Sequence, residues 1–283
     1  MQMEPSRRIA LLIDGDNAQA SLFPQILAEV SKYGVITIRR VYGDWTTSNL
    51  KGWNEVIKTY ALKAEQQHSY TSGKNSTDSA LIIDAMDILY TAGLDGFCIV
   101  SSDSDYTRLA TRIREANLFV MGIGRKITPP AFVNACNIFV YTENLKPEKV
   151  TTVKAVEKTT KVVPSPKVEK KTSASSTSNT TKSSASASSP STATTNTKAN
   201  ARFRKLFSQA YDVASKDTEG WINLSALGTS LRQLDPAFDP RSYGHKMLSQ
   251  LVQARNDFFE IRKETKSGSD TIYIKLKDEN SKH

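Results

Sequence analysis

Ile9-Ala10-Leu11-Leu12-Ile13 is an unbroken apolar run that stops on Asp14-Gly15-Asp16-Asn17. A short continuous run bounded by turn residues fits a strand covered on both faces, the situation of a central strand in a parallel sheet. In open parallel sheets ligands bind just beyond the carboxyl ends of the strands, which is where Asp14 falls. The same device returns at Phe97-Cys98-Ile99-Val100, followed by Ser101-Ser102-Asp103-Ser104-Asp105. Two apolar strands thus each carry a pair of acids to one edge of one sheet.

The segments between and around these runs alternate in period. Leu22, Phe23, Ile26, Leu27 and Val30 predict a helix over residues 19–33, with Pro24 acceptable only in its first turn and Gly34 as its stop. Residues 35–42 read as a strand, Trp53, Val56, Ile57 and Tyr60 as a helix, and residues 65–70 as a weak strand. A strong helix over residues 77–91 has its stripe at Leu81, Ile82, Ala85, Ile88 and Leu89, with Asp78 off that stripe. The strand at 97–101 is followed by a helix over 106–116 and a strand over 118–123. A short helix after Pro129-Pro130 and a strand over 138–141 complete the pattern. Strand alternating with helix over this length means an α/β fold with a parallel sheet covered on both faces.

The composition changes sharply after this. Residues 146–200 are Ser, Thr, Lys, Ala and Pro, with 10 Lys+Arg against 3 Asp+Glu. Such a segment cannot bury enough apolar surface to offset the entropy of ordering and reads as a disordered basic linker. Residues 1–145 form the first expected domain and are near neutral, with 14 Lys+Arg against 15 Asp+Glu. The last expected domain spans residues 201–278. Its helical patterns are at 203–213, 225–232 and 243–253, and a hairpin joins residues 258–262 to 271–275 around Ser267-Gly268-Ser269. Three helices and a hairpin predict a small α+β winged helix. Two cysteines with no Cys-x-x-Cys argue for a reducing compartment and against zinc or disulfides. No stretch has the roughly 20 apolar residues of a membrane span, so a cytoplasmic protein without a membrane partner is expected.

Asp14, Asp78, Asp103 and Asp105 carry the chemistry, if chemistry is present. The start of a crossover helix and the ends of strands share one edge in such a sheet, so all four converge there. Two carboxylates about 4 Å apart repel by roughly 4 kcal/mol at an effective dielectric near 20. A cluster therefore calls for a proton or a divalent cation, and all-oxygen ligands favour Mg²⁺ or Mn²⁺ over zinc. The competing account is that Asp14 and Asp16 shape a turn while Asp78 and Asp103 cap helices. Asp16 and Asn17 lie near enough to supply a ligand or touch a phosphate, and Asp84 falls later in its helix as a supporting residue. Lys74, Arg125 and Lys126 sit in loops expected at the same edge, where they would meet substrate phosphates.

Ile13-Asp14-Gly15-Asp16-Asn17, then Lys74-Asn75-Ser76-Thr77-Asp78 running into Leu81-Ile82-Ile83-Asp84-Ala85-Met86, then Val100-Ser101-Ser102-Asp103-Ser104-Asp105-Tyr106 closely resemble the NYN domain family. Members are PIN-like nucleases with a Rossmann-like α/β/α sandwich. The resemblance implies Mg²⁺-dependent hydrolysis of RNA phosphodiester bonds, expected as endonucleolytic cutting. It makes Asp14, Asp78 and Asp103 the metal-binding acids, with Asp105 adjacent. The family usually has Gly between its last two acids, where this chain has Ser104.

Gly220-Trp221-Ile222-Asn223-Leu224, Leu227-Gly228 and Phe238-Asp239-Pro240-Arg241-Ser242-Tyr243-Gly244 resemble the LOTUS or OST-HTH domain. That implies a winged helix that binds RNA or docks a protein. Lys246, Arg262, Lys263, Lys266 and Lys275 are the cations it would offer to RNA. The rival to an RNA-cleaving enzyme is an adaptor without catalysis that keeps its acids as a vestigial metal site.

Overall fold

Six strands form one parallel sheet in the computed structural model, which describes residues 7–67, 76–145, 192–266 and 269–277. They are β1 (Arg8–Asp14), β2 (Val35–Gly43), β3 (Lys63–Gln66), β4 (Gly96–Val100), β5 (Phe119–Gly124) and β6 (Ile138–Tyr141). The spatial order is β3-β2-β1-β4-β5-β6. Every pairing is parallel. The chain therefore builds outward from β1 to β3 and then reverses through β4 to β6. The reversal falls between β1 and β4, a topological switch point of the kind where α/β sheets bind ligands.

Both faces of the sheet are covered, as the apolar strands require. Alternate residues of β1 point to opposite sides: Ala10 and Leu12 join the cluster under α3 (Ser76–Thr91) and α4 (Thr107–Glu115). Ile9, Leu11 and Ile13 join the cluster under α1 (Phe23–Val30) and α2 (Trp53–Tyr60). All five are fully buried. The short α5 (Pro130–Ala135) precedes β6 and contributes Phe132 and Val133 to the first cluster. Pro24 sits in the first turn of α1, as the sequence demands. The expected weak strand is displaced to Lys63–Gln66, and part of its expected range, residues 68–70, lies outside the described residues.

The C-terminal region consists of α6 (Thr192–Val213), β7 (Ile222–Asn223), α7 (Leu224–Leu234), α8 (Leu248–Ala254), β8 (Phe259–Lys266) and β9 (Ser269–Leu276). Its strands form an antiparallel sheet in the order β7-β9-β8. Phe203, Phe207, Leu227, Leu231, Val252, Phe259 and Ile274 fill a core of its own. One expectation fails. The third helix starts at Leu248, not at Tyr243. Pro240–Tyr243 is a 3-10 turn capped by the Asp239 carboxylate, and Gly244 then takes a left-handed φ of 80°, which stops helical propagation.

The described residues of 7–145 and 202–277 cluster as one compact unit, so the two expected domains lie together in spite of the linker between them in sequence. The Arg241 guanidinium pairs with Glu29 of α1 at 3.0 Å and with Asp239 at 2.6 Å. The Phe139 N–H of edge strand β6 donates to the Pro236 carbonyl at 2.8 Å, and Ala237 packs into the cluster under α3 and α4. The expected disordered segment, residues 146–200, lies outside the described residues up to residue 191, and its last part, residues 192–200, is not disordered but forms the start of α6.

Candidate metal centre

Asp14 closes β1 at the switch point, and the turn after it is fixed by close approach. A Cβ on Gly15 would stand 2.7 Å from the Tyr42 carbonyl, so only glycine lets β1 leave the sheet here. The Gly15 N–H donates to that carbonyl at 2.8 Å, and the Trp53 indole N–H donates to the Gly15 carbonyl at 3.2 Å. The Asp14 side chain, 1% exposed, then organises the turn. Oδ1 accepts from the backbone N–H groups of Asp16 and Asn17 at 3.2 and 3.3 Å. Oδ2 accepts from Asn17 Nδ2 at 2.7 Å and from Ser101 Oγ at 2.8 Å.

Ser101 links the two acid pairs. While donating to Asp14, its hydroxyl accepts the Asp103 backbone N–H at 3.1 Å. Asp103 in turn caps a 3-10 turn, its Oδ1 accepting from the Asp105 N–H at 3.0 Å. The turn delivers Tyr106, whose buried hydroxyl donates to Asp78 Oδ1 at 2.6 Å. Thr77, at the start of α3, donates to Asp16 Oδ2 at 3.1 Å. The capping account holds for Asp14 and Asp103, whose carboxylates shape their turns, whereas Asp78 lies inside the first turn of α3 and accepts from Tyr106 in place of a cap bond.

Asp78, Asp103 and Asp105 converge, offering ligand oxygens that all lie within 4.8 Å of one another. That is close to the about 4.2 Å across an octahedral Mg²⁺ with ligands at about 2.1 Å. The donor set is all oxygen and half-open to solvent, which suits Mg²⁺ or Mn²⁺. Asp14 stands apart from this trio, its oxygens committed to the turn and to Ser101. Burial raises the Asp14 carboxyl above its ordinary range, opposed by its hydrogen bonds from Asn17 and Ser101 and reinforced by the charge of Asp78. Burial also raises Asp78, the Tyr106 hydrogen bond opposes this, and the charges of Asp103, Asp105 and Asp16 add to the rise. Five acids, Asp14, Asp16, Asp78, Asp103 and Asp105, are thus linked by like-charge repulsion through Asp78 at the switch point.

Other expected residues are placed differently. Asp84 accepts from the side chains of Arg40 and Tyr42, so it ties α3 to β2 and serves the fold. Arg125 and Lys126 are exposed on the loop after β5. The Arg125 N–H donates to Ser102 Oγ at 2.9 Å, and the Lys126 N–H donates to the Glu143 carboxylate at 3.2 Å, so the loop is pinned to the acid-bearing edge. Lys74 lies outside the described residues. In the C-terminal region, Arg262 faces Asp217, Glu219 and Glu264 and stacks over Trp221 and Tyr273. Its charge is matched within the fold. Lys246 is exposed just before α8, Lys263 is exposed on the hairpin and Lys275 is half-buried. The register puts Lys263 opposite Ile272 and Lys275 opposite Glu260, on different faces. The side chain of Lys266 lies outside the described residues. Ser101, Thr77 and Tyr106 are the site residues that sequence reasoning missed.

The NYN domain family model matches residues 8–144, which contain the sheet and every acid of the cluster. The OST-HTH/LOTUS domain model matches residues 198–269. This is an NYN-domain chain with a C-terminal OST-HTH/LOTUS domain. The chain is similar to a protein of unknown function from Vibrio parahaemolyticus, with 18% identity over 50% of this chain and 96% of that one and a TM-score of 0.43. It is similar to an uncharacterised Nitrosomonas europaea protein, with 40% identity over 28% of this chain and 77% of that one and a TM-score of 0.25. A Chromobacterium violaceum protein shares 30% identity over 29% of this chain and 91% of that one, with a TM-score of 0.23. No curated protein matches the chain. Among the described residues, no helix is long and apolar enough to cross a membrane.

Proposed function

We propose that the chain is a metal-dependent ribonuclease that hydrolyses phosphodiester bonds, internal bonds in particular, at the carboxyl edge of the NYN sheet. The observation that carries this reading is the convergence of Asp78, Asp103 and Asp105 at the switch point of an NYN domain. These three would hold Mg²⁺ or Mn²⁺. When bound, such an ion lowers the pKa of a water and neutralises charge at a phosphate oxygen.

The protein's part is positioning. Asp14 holds the β1 turn and, through Ser101, fixes where Asp103 begins its cap. Tyr106 clamps one oxygen of Asp78, so that the carboxylate cannot rotate away from its neighbours. Asp16, steadied by Thr77, and Asn17 line the same mouth. Arg125 and Lys126 stand on the adjacent loop to meet the phosphates of the chain being cut, with Lys74 in the same role before α3. The OST-HTH/LOTUS domain adds RNA affinity, with Lys246, Lys263 and Lys275 as its candidate cations. Docking a protein partner is the alternative to RNA binding for this domain.

The test is cleavage of labelled single-stranded and structured RNA by the full chain, with chelator and with Mg²⁺ restored. Asp78→Asn and Asp103→Asn should each remove cleavage while the fold is kept. Cleavage at wild-type rate by both variants, or undiminished cleavage in chelator, would overturn the reading.

A further inference from the structure

Next to the acid-bearing edge runs a groove of about 660 Å³. One wall is the loop after β5 with the end of β6, contributing Lys126, Thr128 and Tyr141; the other is α6, contributing Arg202, Lys205 and Gln209. Asp235 is the single carboxylate among its lining residues, and Arg202 stands 3.9 Å from it. Arg202, Lys205 and Lys126 are all exposed, and so is Ile127, at 69%, beside them. The groove therefore carries an excess of positive charge interleaved with one aromatic ring and the exposed aliphatic side chains of Ile127 and Leu234.

Its position gives the charge a meaning. Lys126 follows Arg125, whose N–H is bonded to Ser102, and Ser102 precedes Asp103 of the carboxylate cluster. A polyanion lying across the cluster and leaving towards β6 runs directly into the groove. Cations that track a backbone, with an aromatic face for a base, are the usual means of holding a single strand without reading its sequence. An acidic peptide would use the same cations but gives no reason for Tyr141 and Ile127, or for the continuity with the cluster.

We infer that this groove binds the sugar–phosphate backbone of the single-stranded RNA flanking the scissile bond, with Arg202 and Lys205 of α6 contacting phosphates. The inference rests on the proposed ribonuclease site and deepens it. The C-terminal domain then serves the substrate through α6, by completing a groove that neither part has alone, and not chiefly through its hairpin.

The test uses the full chain and 5′-labelled oligouridines of about 4 and about 20 nucleotides. Binding is read by fluorescence anisotropy in chelator, so that it is independent of cleavage; cleavage is read separately in Mg²⁺. In the double variant Arg202→Glu, Lys205→Glu, affinity for the longer probe should fall. Its dependence on log salt should flatten by about 1.4, from about 0.7 for each of two phosphates on a single strand. Affinity for the 4-mer and its cleavage should stay unchanged, and Lys263→Glu should have a smaller effect on the longer probe. Equal loss on both lengths, no loss on either, absence of binding to the longer probe by the wild type, or displacement of the longer probe by oligoglutamate as effective as by oligouridine would overturn the inference. If nothing is cut but the length-dependent salt slope still changes, the ribonuclease reading fails and the groove stands.

Discussion

At the scale of single residues, the acids divide by what holds them. Asp78, Asp103 and Asp105 are near like charges and partly open, so replacing Asp78 with Asn removes a repulsion and should raise the melting temperature in chelator. Asp14 faces four hydrogen-bond donors, so Asp14→Asn turns an amide group towards donors and should cost about 1–3 kcal/mol. Thermal denaturation of the two variants side by side checks the opposite signs. Ser101→Ala and Tyr106→Phe should reduce cleavage by about 10–100-fold, the usual effect of removing a group that orients a metal ligand, and Asp103→Asn by more. Asp95, away from the site, gives the pH dependence. The Arg8 N–H donates to Asp95 at 2.7 Å and holds that carboxyl below its ordinary value. The stabilisation is present above the unfolded value of about 3.9 and is lost as pH falls through the lower folded one. Asp95→Asn should therefore have a lower urea midpoint than wild type at pH 7, with the gap closing in strong acid. Asp14, Asp103 and Asp105 were legible because apolar runs mark where strands end. Ser101 and Tyr106 were not, since a serine after a strand and a tyrosine on an apolar stripe look ordinary until their hydroxyls are seen. Asp84 was expected to support the site, but it lies six residues, about 1.7 helical turns, beyond Asp78 and so on another face of α3.

At the scale of elements, the sequence showed the NYN sheet well because its signal is redundant. β1 is apolar from Ile9 to Ile13 and β4 throughout, the helices between are amphipathic, and right-handed crossovers leave few ways to connect them. The short β3, exposed at the sheet's edge, has no such pattern, and its range was misplaced. The third C-terminal helix was drawn too early because Tyr243, Met247 and Leu251 keep helical spacing across Gly244. Spacing carries no information on the left-handed φ that glycine adopts there. Gly15 is a comparable point in the first domain, where the turn depends on close backbone approach. Gly15→Ala would press a Cβ into the Tyr42 carbonyl and should cost about 1–3 kcal/mol through displacement of β1 from β2, read as a lower denaturant midpoint.

At the scale of the whole molecule, the two folded parts share an interface that no local pattern announces. Glu29, Arg241 and Asn144 are far apart in sequence, and each alone reads as a surface residue. Together they place a charge cluster between α1 and the Asp239 turn. Removing one partner of a buried pair costs about 3–5 kcal/mol, but Lys32 also holds Glu29 at 2.8 Å and Arg241 is itself part-exposed. Arg241→Ala should therefore cost less, about 1–3 kcal/mol. Small-angle scattering should show a larger radius of gyration for the variant, while unchanged dimensions would mean that Arg241 does not hold the parts together. Above this arrangement stands the claim that the carboxylates at the switch point cut RNA with a bound cation. The most direct measurement is single-turnover cleavage of a labelled RNA by the full chain, as wild type and Asp103→Asn, in chelator and after Mg²⁺ or Mn²⁺ is restored. The account predicts cleavage only for the wild type with the cation present. Cleavage by wild type in chelator, or equal cleavage by Asp103→Asn with the cation restored, would contradict it.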